Sequence, residues 1–513
     1  MTAKIYSCSF TGLECHIIEV QADISAGLSA FSIVGMGDIS VQESKERIRS
    51  SIKNSGFIYP QNKKTINLAP AQLRKQGTLF DLPIAISLLM ASQQISSEIF
   101  HKSIIIGELS LNGQVRAVDG ILAIVQYAKT QGFKSVFLPK GNALEGSYIE
   151  GINIYPVDNL KELVGFCRRE ISIEITPHHK INKGSINHAV VENSYLFSQI
   201  VGHEKAKRAL SIAASGGHNI LFRSSPGCGK TILSRAFRDL LTKMTEEEII
   251  ETTKIYSVAG LLNRDNPMIT TRPFREVHHT ASEVSIIGGG GITPSPGEIS
   301  LAHNGVLFLD EITEFPTHLL EALRQPLEDR YIHINRANFS VRFPCKFILI
   351  ATMNPCQCGY KYDRKIKCIC TEAQLNRYQK KLSGPILDRF DIFLDIEKIP
   401  INNFFNEEFQ KNELVKQNII KQIKVTKIIQ AQRFRKHRRL YSNSDMDLPA
   451  IREFCTIDGE SKKILSQAVD KLNLSNRGYL RTLKIARTIA DLENSKNIQL
   501  PHVAEAIQYR QQK

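Results

Sequence analysis

The chain has 513 residues, of which 42% are hydrophobic and 23% are charged, and its formal net charge is +15. This balance excludes a disordered or fibrous protein, and the length predicts about two to four globular domains. Apolar runs are too short to cross a bilayer, and no basic flank leads into an apolar core near Met1, so we expect a cytoplasmic protein. The positive charge favours polyanionic partners without identifying one.

Apolar periodicity and breaker residues predict an α/β domain over residues 1–169. Its predicted strands and helices are, in chain order, Phe31–Gly35, Val41–Ser55 (helix), Lys64–Leu68, Leu82–Ala91 (helix), Ser103–Ile106, Ile121–Thr130 (helix) and Ser135–Leu138. A polar stretch predicts a linker over 170–196. A second α/β segment is expected over 197–400, and residues 401–513 form a helical pattern rich in basic side chains.

A glycine-rich turn between an apolar strand and a predicted helix is the strongest motif. The strand Ile220–Phe222 precedes the turn, and the helix follows from Thr231. Glycines let backbone amides point at a phosphate, the helix N-terminus adds positive potential, and Lys230 would reach the β- and γ-phosphates. Thr231 would hold Mg²⁺, while Ser224 replaces the first glycine of G-x-x-x-x-G-K-[ST]. The predicted phosphate loop comprises Ser224, Ser225, Pro226, Gly227, Cys228, Gly229, Lys230 and Thr231.

Two further apolar strands end in polar side chains. Gly305–Leu309 is followed directly by Asp310 and Glu311, and a second strand ends before Asn354. In parallel sheets, ligands bind at the carboxyl ends of strands. We expect Asp310 to coordinate Mg²⁺, Glu311 to polarise an attacking water and Asn354 to orient that water. The three strand ends together predict an ATPase, and the alternative is a chance match on a glycine-rich turn.

These residues and their surroundings resemble the Mg-chelatase-like AAA+ proteins, and within them the ComM/YifB group. Gly37 and Ser224 are local departures from the group's pattern. The resemblance implies an AAA+ P-loop core with a helical lid, preceded by an α/β domain similar to ribosomal protein S5 and Lon protease. It is carried by stretches along nearly the whole chain, including Phe31–Asp38, Glu43–Arg47, Asn67–Pro70, Phe80–Pro83, Gly107–Ser110, Ala206–Leu210, Pro296–His303, Asn354–Gly359, Ser383–Pro385 and Ala486–Leu492.

The resemblance also implies a function. Members of this group are expected to form homo-oligomeric rings, usually hexamers, that bind ATP and Mg²⁺ between subunits. The implied activity is an ATP-driven DNA motor that promotes branch migration in homologous recombination, as in natural transformation, together with other recombination proteins. Two alternatives stay open: a motor subunit for inserting magnesium into a porphyrin, and an ATP-dependent Lon-like protease.

Two arginines gain roles from the resemblance. Arg389 looks like the arginine finger that stabilises the γ-phosphate held by a neighbouring subunit. The alternative is a local ion pair with Asp388 or Asp391. Arg477 looks like the sensor-2 arginine of the lid, which we expect to touch ATP in the same subunit, with Arg481 as the substitute candidate.

Two segments are candidates for DNA contact. The region of His278, His279 and Ile287–Gly291 resembles a pore-facing insert of related proteins, and a second hairpin is predicted at Ile332–Phe343. Arg336 lies at the tip of that hairpin, where a phosphate contact and a solvated turn are both compatible with the spacing. No pattern predicts reading of base edges, so the expected partner is single-stranded or branched DNA, bound without sequence preference.

A dense basic run between Lys416 and Arg439 includes Arg435 and Lys436. Such a run follows a nucleic-acid backbone in some proteins and is a solvated helix face in others. The near absence of aromatic residues gives little support for base stacking.

Four of the ten cysteines form the pattern C-x-C-x₉-C-x-C: Cys356, Cys358, Cys368 and Cys370. Four thiolates at this separation can close a tetrahedral Zn²⁺ site, and plain buried thiols are the alternative. We favour structural zinc, which would brace the strand end at Asn354.

The alternatives to a DNA motor have weaker support. Lon-like proteolysis needs a serine activated by a lysine, and the corresponding turn, Lys75–Asp81, contains Thr78 but no serine. A chelatase motor needs a partner with a metal-dependent adhesion domain, and the D-x-S-x-S motif of that domain is absent from this chain.

Overall fold

The computed structural model describes residues 2–73, 75, 77–181, 196–290, 294–336, 339–363, 366–398, 409–437 and 440–510. The first domain is built from a mixed seven-stranded sheet and a small hairpin, β6–β7. Its strands are β1 (Thr2–Thr11), β2 (Glu14–Ser25), β3 (Phe31–Val34), β4 (Lys63–Ala69), β5 (Ser103–Ile105), β6 (Glu108–Leu109), β7 (Val115–Arg116), β8 (Ser135–Pro139) and β9 (Asn153–Val157).

The sheet has the order β3-β4-β2-β1-β5-β8-β9, and β2 is antiparallel to both of its neighbours. Its helices are α1 (Ile39–Asn54), α2 (Asp81–Ala91), α3 (Ile121–Thr130), α4 (Ala143–Ser147) and α5 (Leu160–Cys167). Every residue of α2 is buried, which explains its continuous apolar sequence. The predicted strands and helices of this domain are confirmed to within a few residues at each end.

The long β1–β2 hairpin was not predicted. Its strands contain buried serines, and Ser7 and Ser9 are both under 5% exposed. Small polar residues inside the core hide the apolar alternation by which a half-buried strand is recognised.

The second domain contains a parallel five-stranded sheet of order β11-β14-β17-β10-β18. Because the strands are parallel, all their carboxyl ends share one edge and all their amino ends share the other. The strands of this domain, including the hairpins β12–β13 and β15–β16, are β10 (Ile220–Arg223), β11 (Phe274–Val277), β12 (Gly288–Gly289), β13 (Ser295–Pro296), β14 (Gly305–Leu309), β15 (Tyr331–Arg336), β16 (Phe339–Pro344), β17 (Phe347–Met353) and β18 (Ile392–Asp395).

Helices surround this sheet and continue into the C-terminal part, as predicted. They are α6 (Glu204–Gly216), α7 (Lys230–Ala236), α8 (Glu246–Val258), α9 (Glu283–Ile287), α10 (Glu298–Leu301), α11 (Thr317–Ala322), α12 (Arg324–Asp329), α13 (Glu372–Gln379), α14 (Gly384–Leu387), α15 (Phe409–Arg433), α16 (Leu448–Phe454), α17 (Gly459–Leu472), α18 (Asn476–Leu492) and α19 (Leu500–Gln508). Among the helices of the described ranges, none is both long and apolar enough to span a bilayer.

The helices α15–α19 (residues 409–508), which we call the lid, share a hydrophobic core with the five-stranded sheet. Ile212 of α6 and Ile485 and Ile489 of α18 are fully buried in one cluster. Arg433 at the end of α15 binds Asp491 of α18 through two nitrogen–oxygen contacts of 2.5 and 2.6 Å. Packing therefore joins the lid to the sheet, while the Arg433–Asp491 ion pair joins two helices within the lid.

The first domain also contacts the second. The β1–β2 turn lies against β16, where a Cβ added to Gly12 would meet Cγ1 of Val341 at 2.1 Å. The Ser257 hydroxyl of α8 donates to the buried Glu145 carboxylate at 2.5 Å. Residues 182–195 of the predicted linker 170–196 lie outside the described residues. The first part of the linker packs on the first domain, because the Thr176 N–H donates to the Ile154 carbonyl at 2.9 Å.

We predict that Gly12→Ala destabilises the protein by about 1–3 kcal/mol more than a matched glycine change. The control is Gly56→Ala, because both glycines have positive φ (+61° and +84°) but a Cβ on Gly56 meets nothing within 4 Å. Thermal unfolding followed by circular dichroism measures both variants. Equal midpoints would contradict the contact between the β1–β2 turn and β16.

Candidate active site

The carboxyl ends of three adjacent strands, β14, β17 and β10, bring together the residues of the predicted ATPase site. The Lys230 ammonium donates to the Ser224 carbonyl at 2.8 Å and to Oδ1 of Asn354 at 2.7 Å. The Thr231 hydroxyl donates to Oδ2 of Asp310 at 3.2 Å. A hydroxyl beside a carboxylate is an oxygen pair of the kind that Mg²⁺ prefers.

Thr352 belongs to this site although no role was predicted for it. Its hydroxyl donates to Oδ1 of Asp310 and accepts the backbone N–H of Glu311 at 2.9 Å. Glu311 adopts φ +51°, a left-handed backbone that is uncommon outside glycine and that is found at functional sites. Thr352 thus orients both carboxylate residues, and its signal was a hydroxyl at the end of an otherwise apolar strand.

The backbone of the phosphate loop is shaped to receive phosphate oxygens. Gly227 and Gly229 have φ values of +77° and +85°, and a Cβ on Gly227 would meet nothing within 4 Å. The open space over Gly227 lies next to the start of α7, where backbone N–H groups favour an anion. Ser224 is not among the described residues with positive φ, so its position does not require the glycine of the usual pattern.

Lys230 is the charge that the loop encloses. Its side chain is 9% exposed, and burial lowers its pKa, while Asp310 and Glu311 act in the opposite direction. The nearby carboxylates therefore help to keep this lysine charged, as phosphate binding requires.

Arg389 lies at the opposite edge of the sheet from Lys230. It lies three residues before β18, and its carbonyl accepts from the Asn219 side-chain amide, just before the amino end of β10, at 2.9 Å. The guanidinium is 3% exposed and binds Glu328 at 2.6 Å and the Pro385 carbonyl at 3.2 Å. It pairs with neither Asp388 nor Asp391, and its Nε has no hydrogen-bond partner among the described residues.

Arg477 lies beside Arg389 and not at the phosphate loop of its own chain. Both arginines bind the same Glu328 oxygen, Arg477 at 3.2 Å, and the Arg477 side chain is 57% exposed. The structure therefore corrects the expected contact with ATP in the same subunit. The reason is the position of α18, which begins near the amino ends of the strands.

Asp391 anchors this arginine cluster. Burial would raise its pKa, but Arg481 and His218 hold the pKa below its ordinary value. Asp391 also accepts the Asn219 N–H at 3.1 Å, and Arg481, the substitute candidate for sensor 2, binds the other oxygen. Arg481 is thus engaged in holding α18 to the sheet.

The residues proposed for DNA contact occupy separate places. His278 and His279 follow β11, with ring centroids 4.1 Å apart, and lie at the carboxyl edge that also carries Asp310. Arg435 and Lys436 are exposed just after α15. The side chain of Arg336 lies outside the described residues, as do positions 291–293 of the predicted insert.

The basic run that begins at Lys416 is not one continuous surface. Lys416 is 7% exposed and lies 3.4 Å from Asp239, and Arg433 is committed to Asp491. These two residues therefore serve packing of the lid, whereas Lys421, Lys424, Arg435 and Lys436 are exposed.

The four clustered cysteines have the separations of a metal site. All four sulfur atoms lie within 4.8 Å of one another, and the Cys356–Cys358, Cys358–Cys368 and Cys356–Cys368 distances are 3.3, 3.5 and 3.8 Å. A tetrahedron with Zn–S bonds of about 2.3 Å has sulfur–sulfur edges of about 3.8 Å. Each cysteine is free, as a metal ligand must be, so the residues fit a zinc ion.

The cysteine loop packs directly against the phosphate loop. A Cβ on Gly359, which has φ +84°, would lie 2.7 Å from Cδ of Pro226. Gly359 follows Cys358, and Asn354 begins the same loop. A metal ion that orders the cysteines would therefore hold both Pro226 of the phosphate loop and Asn354 in place.

The first domain shows no Ser–Lys arrangement at its Lon-like turn. The Lys75 ammonium donates to the Pro70 carbonyl, and the Thr78 hydroxyl donates to Glu108. Burial lowers the pKa of Lys75 to about 8, but its hydrogen bond is not made to Thr78. Among the described residues this turn does not supply an activated nucleophile.

Comparison with known proteins agrees with the geometry. Three family models match: subunit ChlI of Mg-chelatase over residues 20–142, magnesium chelatase, subunit ChlI, over 196–404, and its C-terminal part over 416–510. Competence protein ComM of Haemophilus influenzae is 38% identical over 99% of this chain and 97% of its own length. YifB of Escherichia coli, an uncharacterized protein, is 37% identical over 99% of this chain and 96% of its own.

A more distant relative, a magnesium-chelatase subunit ChlI homolog of Methanocaldococcus jannaschii, is 25% identical and covers 40% of this chain. The full-length relatives thus share the first domain, the phosphate-loop domain and the lid. The chain belongs to the Mg-chelatase-like AAA+ family, in the group of ComM and YifB.

Proposed function

We propose that this protein is a ring-forming ATPase that drives branch migration of DNA during homologous recombination. The observation that carries the proposal is the division of the ATPase site between two edges of one sheet. Lys230, Asp310 and Asn354 lie at the carboxyl edge, while Arg389 and Arg477 lie at the amino edge. One chain cannot present both sets to the same nucleotide, so a neighbouring copy must complete each site.

The groups at the carboxyl edge bind and position ATP. Lys230 would exchange its bonds to Ser224 and Asn354 for phosphate oxygens, and Thr231 and Asp310 would hold Mg²⁺. The ion, when bound, neutralises charge on the β- and γ-phosphates. Asn354, once released by Lys230, is free to orient water beside the γ-phosphate, and the exposed Glu311 would accept a proton from that water.

The arginine pair would act on the nucleotide of the neighbouring subunit. Arg389 and Arg477 share a single carboxylate oxygen of Glu328, so one acid balances two positive charges. A γ-phosphate carries more negative charge than Glu328 and would compete for both guanidinium groups. Closure of one interface on ATP, followed by its relaxation after hydrolysis, gives the stepwise motion that a motor needs.

DNA is the substrate that we propose for this motion. A formal charge of +15 favours a polyanion, and the related ComM of Haemophilus is named a competence protein. The hairpins near positions 288–296 and 331–344, with Arg336, and the exposed Arg435 and Lys436 are the proposed contacts. Contacts of this kind grip phosphates and do not read sequence.

We predict that Lys230→Ala and Glu311→Gln each lower ATP hydrolysis and branch migration of a four-way junction at least about 100-fold. Glu311→Gln should still bind ATP, because Lys230 and Thr231 are intact. Glu314→Gln is the matched control, since Glu314 is half-exposed and binds Lys381 at 3.5 Å outside the site. The measurements are phosphate release with and without DNA, and gel electrophoresis that separates the four-way junction from the duplexes formed by branch migration.

Branch migration that survives both active-site changes would contradict the motor. A chelatase motor is the second candidate, because the matching family models carry that name. ATP hydrolysis that responds to a chelatase partner and ignores DNA would favour that alternative.

We further propose that Cys356, Cys358, Cys368 and Cys370 hold one structural Zn²⁺. We predict that inductively coupled plasma mass spectrometry finds about one zinc ion per chain, and that the Cys358→Ser variant loses this zinc. The same change should weaken ATP binding, because Gly359 supports Pro226 of the phosphate loop. Cys455→Ser is the control, a buried cysteine in the lid. Full zinc content in Cys358→Ser would contradict the site.

A further inference from the structure

A cavity of about 280 Å³ lies between the sheet and the lid at the amino edge of the strands. Arg272, Asn304 and Lys346, which come just before β11, β14 and β17, line it from the sheet side. Lys427 and Asp445 line it from the lid side. The cavity is therefore at the opposite edge of the sheet from Lys230 and is separate from the ATPase site.

The acidic groups of this cavity already have partners. Glu248 binds Arg272 through nitrogen–oxygen distances of 2.7 and 3.2 Å. Asp445 binds Arg330 at 3.2 Å and accepts the Ser442 N–H at 3.0 Å. Each carboxylate is thus paired with an arginine, which leaves it less able to balance a further cation.

Two lysines line the cavity without such a partner. In the part of the chain that the structure describes, neither Lys346 nor Lys427 has a carboxylate oxygen within 4 Å of its ammonium. Lys346 lies 3.8 Å from the centre of the Tyr441 ring, which compensates its charge only in part. Burial lowers the pKa of both lysines, that of Lys427 to about 8. Asp445 and Glu248 oppose this effect on each lysine, and Arg272 adds to it.

Like charges gathered in a partly buried cavity cost free energy unless an anion balances them. One lysine comes from the sheet side and the other from α15 of the lid, so an anion between them would bridge the two parts. The volume is near the lower end for small-molecule sites, which favours a compact ligand over a nucleic-acid strand. Phosphoryl oxygens suit this donor set, because each can accept from a separate ammonium group.

We propose that this cavity binds a small phosphorylated anion, of the class of inorganic phosphate and pyrophosphate, held between Lys346 and Lys427. The bound anion ties the lid to the sheet and so stabilises their relative position. This role is independent of the proposed DNA motor and of the chemistry at Lys230.

The test is a calorimetric titration of the full-length Lys230→Ala variant with pyrophosphate in the absence of Mg²⁺. The Lys230→Ala change weakens pyrophosphate binding at the phosphate loop, so the heat measured comes mainly from the cavity at Lys346 and Lys427. Adding Lys346→Met and Lys427→Met should lower the affinity at least about tenfold. Lys424→Met is the matched control, because Lys424 is an exposed lysine on the same helix.

Thermal unfolding without ligand gives a second measurement. Lys427→Met should leave the midpoint unchanged or raise it, because it removes a charge that has no partner. Pyrophosphate should raise the midpoint of the Lys230→Ala chain but not that of the chain with both methionines.

Three results would overturn the proposal. The first is no pyrophosphate binding to the Lys230→Ala chain, and the second is equal affinity after Lys346 and Lys427 are replaced. The third is protection by a single-stranded oligonucleotide but not by pyrophosphate. If the double variant does not fold, the single Lys427→Met change in the Lys230→Ala chain decides between these outcomes.

Discussion

The ammonium group of Lys230 connects the ends of two adjacent strands of the sheet, β10 and β17. It lies between the Ser224 carbonyl after β10 and the Asn354 side chain after β17, with Asp310 on the next strand. Burial weakens its charged form, so the nearby carboxylates and an incoming phosphate act together to favour that form. Parallel strands are essential here, because they bring three polar ends to a single edge.

The same parallel arrangement separates the arginines from the phosphate loop. Asp391 is buried at the start of β18 and holds both the Asn219 backbone and Arg481 of the lid. Breaking the Asp391–Arg481 pair would leave an uncompensated buried charge, so this contact holds the chain in place two residues after Arg389. A lid anchored at the amino edge carries Arg477 to that edge as well. The proposed assembly depends on this separation, since each surface would supply what the other lacks.

Much of the site was predictable from sequence because its motifs are local. The phosphate loop, Asp310, Glu311 and Asn354 each follow a short apolar strand, and strand order brings them together. Thr352 was missed because its role depends on neighbours in space, and one hydroxyl at the end of an apolar strand is too weak a signal to assign that role. The predicted placement of Arg477 at the phosphate loop of its own chain was wrong. The Asp391–Arg481 contact holds the start of α18 near the amino ends of the strands, and no local sequence pattern reveals that contact.

The cysteine cluster and the β1–β2 hairpin also show that contacts between distant segments are not predictable from local sequence. Cysteine spacing predicted a compact cluster, but its contact with Pro226 needed coordinates. The hairpin strands contain buried serines, so their sequence did not alternate as a half-buried strand should. Sequence reasoning succeeds where chemistry and periodicity agree along the chain, and it fails where packing between distant segments decides.

The central claim is that two copies of the chain complete each ATPase site, and mixing two inactive variants tests it most directly. Lys230→Ala removes the phosphate-loop half and Arg389→Ala removes the finger half. Mixed assemblies contain some interfaces in which an intact Lys230 faces an intact Arg389, so the account predicts that ATP hydrolysis returns on mixing. No recovery in mixtures that demonstrably co-assemble would contradict it.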